Sequence, residues 1–139
     1  MEKKSLYHQL RLKPLLTDGH DVHIGLIDGP IALEHEDFKE ADIQTVGGAA
    51  QCDFPLGLGC KHGSFVAGIL IAKPDSPAPG LCPQSTVLNK PIFCDADEFE
   101  YCPVVSTEAL AQAVTDVVNA GVDIVNLSVG LEPPDSKIQ

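Results

Sequence analysis

The sequence predicts an α/β fold, a parallel β-sheet with helices on both faces. Two helical patterns, at residues 62–73 and after Ser106, alternate with apolar runs. The runs are short and contain many β-branched residues, which is typical of buried strands; they lie at residues 22–27, 43–46, 86–93 and 122–129. Strands that are apolar on both faces and alternate with helices favour a parallel sheet.

The first strand ends at Asp28, because Gly29 and Pro30 follow it. Functional groups of parallel sheets lie at the carboxyl ends of the strands, so Asp28 stands where chemistry is expected. Residues 47–61 contain several glycines and show no periodicity, which predicts a loop. His62 then opens a helix that Pro74 ends, with its apolar face formed by Val66, Ile69 and Leu70.

The second helix begins with Ser106 or Thr107 as its N-cap and ends at Gly121. Its predicted apolar face consists of Leu110, Val114, Val117 and Val118. The last strand follows at residues 122–129. Near the N-terminus, residues 3–13 carry Leu6, Leu10 and Leu12 in an amphipathic pattern that favours a short helix before Pro14.

Length and charge restrict the class of protein. The 139 residues suit a single domain covering residues 1–139. A formal net charge of −11 argues against nucleic acid or an anionic membrane as partner. Neither a secretory signal nor a membrane-spanning apolar run is visible, so we expect a soluble, cytoplasmic protein.

Five cysteines are present, and an odd number in a chain without a visible leader favours free thiols. Two pairs are each eight residues apart and could instead close small loops: Cys52 with Cys60 and Cys94 with Cys102. No Cys-x-x-Cys occurs, so we expect no metal site. No Gly-rich phosphate loop follows the first strand, which argues against a nucleotide-binding domain and any nucleotide cofactor.

Three segments carry candidate chemistry. Residues 24–30 deliver Asp28 into a turn, and residues 61–69 place His62 before a run of small residues. Residues 123–130 form a strand that ends in Ser128, Val129 and Gly130.

In this order and spacing, the three segments resemble the Asp motif, the His motif and the Asn-x-Ser-x-Gly strand of the subtilisin-like serine peptidases. Residues 80–83 also resemble that family's Gly-x-Ala-Pro segment. The likeness covers residues 20–130. The Asp-x-Pro turn and the proline-rich link before Gly80 are similar to subtilases that mature ribosomal peptides, the cyanobactin type.

The resemblance implies proteolysis through an Asp-His-Ser triad. The catalytic Asp28 would hold the imidazole of His62, which would act as the base toward a serine. Ser128, Val129 and Gly130 would pair with the backbone of a peptide or protein substrate and line its pocket. No cofactor is implied. Asp37 matches a calcium ligand of the family, but on its own it is better interpreted as a surface carboxylate.

The sequence also departs from the family. None of its seven serines lies in a Gly-Thr-Ser segment, and the oxyanion-hole Asn is missing. We therefore expect the N-terminal part of a peptidase domain, with a sheet incomplete at its C-terminal side and a serine supplied by a further C-terminal portion. Alone, the chain should be inactive and prone to self-association. The alternative is a non-catalytic subtilase-like module that binds a peptide or a partner protein.

Overall fold

The structure is a computed structural model that describes residues 18–48, 52, 57–93 and 105–129. The predicted helix at residues 3–13 lies outside these ranges. The described chain contains strands β1 (His23–Asp28), β2 (Asp42–Thr45), β3 (Thr86–Pro91) and β4 (Ile124–Leu127). They form a parallel sheet in the order β2-β3-β1-β4, so the predicted parallel α/β architecture is confirmed.

Two helices cover opposite faces of the sheet. They are α1 (Leu58–Ile71) and α2 (Thr107–Asn119), and a short 3-10 helix spans Glu36–Phe38. Successive side chains of β1 point to opposite faces of the sheet. Leu26 packs with Ala67 of α1, whereas Ile27 packs with Val117 of α2. None of the described helices is long and apolar enough to cross a membrane.

Helix α2 begins as the sequence predicts. The Ser106 hydroxyl accepts a hydrogen bond from the Ala109 amide at 3.1 Å, which identifies Ser106 rather than Thr107 as the N-cap. Ala113 and Val117 are its buried residues, whereas Val118 is exposed although the sequence pattern placed it on the apolar face.

Helix α1 differs from its prediction at both ends. It begins at Leu58, within the predicted loop, so His62 lies in the second turn rather than at the helix start. It ends at Ile71, two residues before Lys73. Lys73 precedes Pro74, and a proline ring sterically disfavours the helical backbone conformation of the residue before it. The last carbonyl groups of α1 accept hydrogen bonds from the backbone of Leu81 and Cys82 instead.

The fully buried residues of α1 are small ones and Ile71. Of the predicted apolar face, Val66 and Leu70 are partly buried and pack against the core, whereas Ile69 is exposed. Gly63 lies against the turn after β1: a Cβ on Gly63 would come within 2.5 Å of the carbonyl oxygens of Gly29 and Pro30. Gly29 meets the backbone of Gly59 in the same way. Glycine at these positions therefore allows the helix backbone to touch the turn backbone.

Strand β4 is shorter and more exposed than the predicted buried strand at 122–129. It lies at the edge of the described sheet, and its Ile124 side chain is 54% exposed. Leu127 is also exposed. The physical reason is that only one neighbouring strand, β1, covers it within the described residues.

We expect Gly63→Ala to lower the free energy of unfolding by about 1–3 kcal/mol or more. The added methyl group would collide with backbone carbonyl groups, which cannot move aside as a flexible side chain could. Thermal or urea unfolding followed by circular dichroism measures the loss.

Gly68→Ala is the matched control on the same helix, since a Cβ at Gly68 meets nothing within 4 Å. Alanine favours a helix over glycine by roughly 1 kcal/mol, so this variant should be neutral or slightly more stable. Equal destabilisation by both substitutions would contradict the assigned role of Gly63.

Candidate active site

The candidate site begins with Asp28 at the carboxyl end of β1. Its side chain is 0% exposed, and its Oδ1 accepts a hydrogen bond from the Gly29 amide at 2.6 Å. Its Oδ2 is also buried and has no hydrogen-bond partner within the described residues. Burying an ionised carboxylate costs free energy unless it is paired, so a cationic or donor partner is required.

His62 supplies that partner. Its Nδ1 lies 2.7 Å from Asp28 Oδ1, although the two residues are 34 positions apart in sequence. The imidazole side chain is 54% exposed, in contrast to the buried carboxylate. The predicted juxtaposition of Asp28 and His62 is thus observed, while their catalytic role stays a prediction.

The geometry determines which ring nitrogen carries a proton. An ionised carboxylate can only accept hydrogen bonds, so Nδ1 must donate to Asp28. Neutral His62 then has its lone pair on Nε2, the nitrogen not used by Asp28. A histidine in this tautomer, oriented by a buried carboxylate and open to solvent, can accept a proton at Nε2.

A second contact fixes α1 against the segment that follows Asp28. The Ser64 hydroxyl accepts a hydrogen bond from the Ala32 amide at 2.9 Å. Ser64 occupies the position at which the resembled His motif has threonine, and its hydroxyl keeps the hydrogen-bonding capacity. The turn after β1 is therefore held both by close backbone packing and by this side chain.

Asn89 is a site residue that the sequence analysis missed. It is buried on β3, and its Nδ2 donates to the carbonyl of Gly29 at 3.4 Å, next to Asp28. The available signal was an amide side chain directly after the apolar pair Val87 and Leu88 of a predicted strand. Buried amides need hydrogen-bond partners, so such a residue indicates a polar neighbour across the sheet.

The predicted substrate-binding residues lie partly within the described chain. Ser128 and Val129 follow β4, whose Leu127 pairs with Ile27 of β1, so the two strands end side by side. The Ser128 hydroxyl accepts a hydrogen bond from Asn126 Nδ2 at 2.8 Å. Gly130 lies outside the described residues, and the substrate-binding role of all three stays a prediction.

The structure corrects the expectation of free thiols for one cysteine pair. Cys52 and Cys60 form a disulfide, which joins the first turn of α1 to the chain before it. Cys82 is a free thiol whose pKa is raised by burial. Cys94 and Cys102 lie outside the described residues.

Within the described ranges, no three His, Cys, Asp or Glu side chains lie close enough together to hold a metal ion.

Asp37 accepts a hydrogen bond from the Ser76 hydroxyl at 3.0 Å. This contact joins the 3-10 helix to the segment after α1.

Comparison with known proteins agrees with this geometry. The family model of the subtilases matches residues 19–138. The chain belongs to the subtilase family. Among curated proteins, none matches the chain at a significant level.

Several solved structures have a similar fold. The chain is 32% identical, with a TM-score of 0.71, to the protease domain of PatA in a serine-to-alanine mutant. That likeness covers 85% of this chain and 42% of the PatA chain. The prenylagaramide maturation protease PagA is 28% identical, with a TM-score of 0.67, over 85% of this chain and 38% of PagA.

The PatG macrocyclase domain is 19% identical, with a TM-score of 0.61, over 78% of this chain and 48% of PatG, and this likeness concerns the fold alone. This subtilase chain therefore spans less than half the length of the proteins it matches. The predicted similarity to subtilases that mature ribosomal peptides is confirmed as a similarity to such proteases.

We expect Asp28→Asn to disturb the tautomer of His62, because a neutral amide replaces the buried acceptor. Nitrogen-15 NMR of the imidazole distinguishes the two tautomers: the native chain should show a protonated Nδ1, and the variant a mixture or the Nε2–H form.

Asp123→Asn provides the control, since Asp123 Oδ2 lies 3.6 Å from Nδ1 of a different histidine, His23. It should leave the His62 signals unchanged. A native His62 protonated at Nε2 would contradict the proposed hydrogen bond.

Proposed function

We propose that this subtilase chain supplies the Asp and His of a serine endopeptidase, and that its nucleophilic serine comes from sequence outside these 139 residues. The single observation that supports this proposal is the 2.7 Å hydrogen bond between buried Asp28 and the exposed imidazole of His62. Both residues also match the family motifs in order.

In the proposed reaction, Nε2 of His62 removes the proton from the serine hydroxyl as the serine attacks a peptide carbonyl. Asp28 stays ionised and stabilises the imidazolium that forms. The imidazolium then donates its proton to the leaving amine, which leaves an acyl-enzyme. Water, activated by the same Nε2, hydrolyses this ester and restores the site.

The proposed substrate is a peptide. PatA and PagA are named as maturation proteases of patellamide and prenylagaramide. A structure of the PatG macrocyclase is described as a complex with peptide. In this chain, Ser128 and Val129 follow β4, whose carboxyl end lies beside that of β1, a suitable position for contacting an extended peptide.

We expect the 139-residue chain alone to hydrolyse no peptide or ester and to escape labelling by a fluorophosphonate probe. Without the nucleophile, residual catalysis by a triad site is small. Intact-mass spectrometry after probe treatment checks this outcome. Stoichiometric labelling of any of the seven serines would contradict the proposal.

The complementary experiment extends the chain with any coding sequence that follows it in its gene. Labelling of a serine in that added sequence is expected, with kcat falling by roughly 10⁶-fold in His62→Ala and about 10⁴-fold in Asp28→Asn. His23→Ala is the control, because His23 lies at the opposite, amino end of β1 and should leave activity unchanged.

A non-catalytic peptide-binding module is the second candidate, favoured by the absence of a Gly-Thr-Ser segment in these 139 residues. The same experiment separates the two. If the natural continuation carries no probe-reactive serine, while peptides still perturb NMR signals of Ser128 and Val129, the binding function is the correct one.

We also propose that the isolated chain self-associates through β4. Unpaired strand edges with apolar side chains drive association, and Ile124 and Leu127 are both exposed there. Analytical ultracentrifugation should therefore detect dimers or larger species, which Ile124→Lys together with Leu127→Lys should convert to monomer.

Leu33→Lys is the control for that double variant. Leu33 is also an exposed apolar residue, but it lies in the segment between β1 and β2. It should leave the association unchanged. A native chain that sediments as a stable monomer would show that β4 needs no further partner.

A further inference from the structure

The outer face of α1 borders an apolar groove that the proposed chemistry does not use. The groove has a volume of about 590 Å³ and runs between α1, the 3-10 helix and the chain after α1. Its apolar lining includes Phe65 and Ile69 from α1, Phe38 from the 3-10 helix, and Pro79 and Leu81.

Two of these side chains are unusually exposed. Phe65 is 68% exposed and Ile69 is 43% exposed, and they stand four residues apart, one turn of the helix from each other. Single exposed apolar residues are ordinary, but an aromatic and an aliphatic side chain beside a concave apolar surface indicate a binding surface.

The charged groups at and near the groove have a small acidic excess, three carboxylates against two lysines. The 3-10 helix contributes Glu36 and Asp37, and Asp75 lies beyond the end of α1. Lys61 also lines the groove. The nearby Lys73 is already paired, 3.0 Å from Glu36 and 3.9 Å from Asp75, and the hydrogen bond to Glu36 raises its pKa. A basic apolar segment would complement both the apolar lining and this acidic excess.

Residues 1–17 have this chemistry. They contain four of the nine basic residues, Lys3, Lys4, Arg11 and Lys13, but only one of the twenty acidic residues. They also contain five leucines, at positions 6, 10, 12, 15 and 16. Their composition is thus opposite in charge to the rest of the chain and is strongly apolar.

Asp18 and Gly19, the first described residues, lie near the groove. The carbonyl of Asp18 accepts a hydrogen bond from the Gln84 amide at 2.9 Å, and that of Gly19 accepts one from the Ser85 hydroxyl at 3.0 Å. A Cβ built on Gly19 would lie 2.8 Å from the Cβ of Cys82, which directly follows Leu81 of the groove. Seventeen residues reach at most about 60 Å when extended, so the groove is within easy reach.

We propose that residues 3–16 dock in this groove, with leucines against Phe65 and Ile69 and basic side chains toward the acidic rim. The docked segment would cover the outer face of the helix that carries His62. The proposal does not depend on peptidase activity, since it rests on the groove, the charges and the point of entry of the chain.

Photo-crosslinking in the full-length chain tests the contact directly. With Leu10 replaced by p-benzoylphenylalanine, irradiation should join this position to peptides within residues 61–81, in a product with the mass of one chain. The same photo-reactive residue at the exposed Val118 of α2 is the control and should not reach these peptides.

Each other outcome overturns the proposal. A product with the mass of two chains would identify a second copy as the occupant of the groove. Intramolecular crosslinks from position 10 to other regions, or no crosslink at all, would show that residues 3–16 lie elsewhere.

Hydrogen exchange provides an independent test with paired variants. Leu10→Asp and Ile69→Asp should each raise the exchange rate of the α1 amides by roughly tenfold or more, because each removes apolar burial from the same contact. The double variant should show no further increase, since the contact is already lost. Val118→Asp is the matched control on α2.

Ile69 is partly exposed, so its replacement by Asp should leave the fold intact, which circular dichroism verifies. If Leu10→Asp has no effect on α1, or if the effects of the two substitutions simply add in the double variant, the docking proposal is wrong.

Discussion

The contact between Gly63 and the backbone of Gly29 and Pro30 is the constraint on which the candidate site depends. Asp28 ends β1 immediately before this turn, and His62 immediately precedes Gly63 in α1. Any side chain at Gly63 would force the helix away from the turn. The 2.7 Å distance between Asp28 and His62 therefore follows from the close approach of two backbones.

Helix α1 serves two different surfaces. Its inner face, with Gly63 and Ala67, packs closely on the sheet and presents His62 to Asp28. Its outer face carries Phe65 and Ile69 beside the groove. The other large apolar side chains after the first turn, Val66, Leu70 and Ile71, pack against the core. This division allows one helix to hold His62 beside Asp28 and to border the groove proposed as a docking surface.

The order of the strands places the polar groups where a triad needs them. β1 lies between β3 and β4, so Asp28 has Asn89 on one side and the segment with Ser128 on the other. β4, by contrast, has one strand neighbour within the described sheet and exposes Ile124. The segment with Ser128 therefore follows a strand whose other edge is uncovered within the described sheet.

The sequence alone determined the features that depend on short-range patterns. Apolar runs and the Gly29-Pro30 turn located β1 and placed Asp28 at its end, and the pair Ser106 and Thr107 marked the start of α2. The motif order predicted that Asp28 and His62 would meet, even though the pattern misplaced the start of the helix.

Only the tertiary structure decided the features that depend on contacts between distant residues. Helix α1 begins at Leu58, in a glycine-containing segment with weak local preference for a helix, where the Cys52–Cys60 disulfide and the turn after β1 meet it. The hydrogen-bond partner of Asn89, Gly29, is 60 residues away in sequence. The exposure of Ile69 depends on which face of α1 packs against the sheet. Local periodicity carries no information about such partners, because it describes the order of residues along an element and not what packs against it.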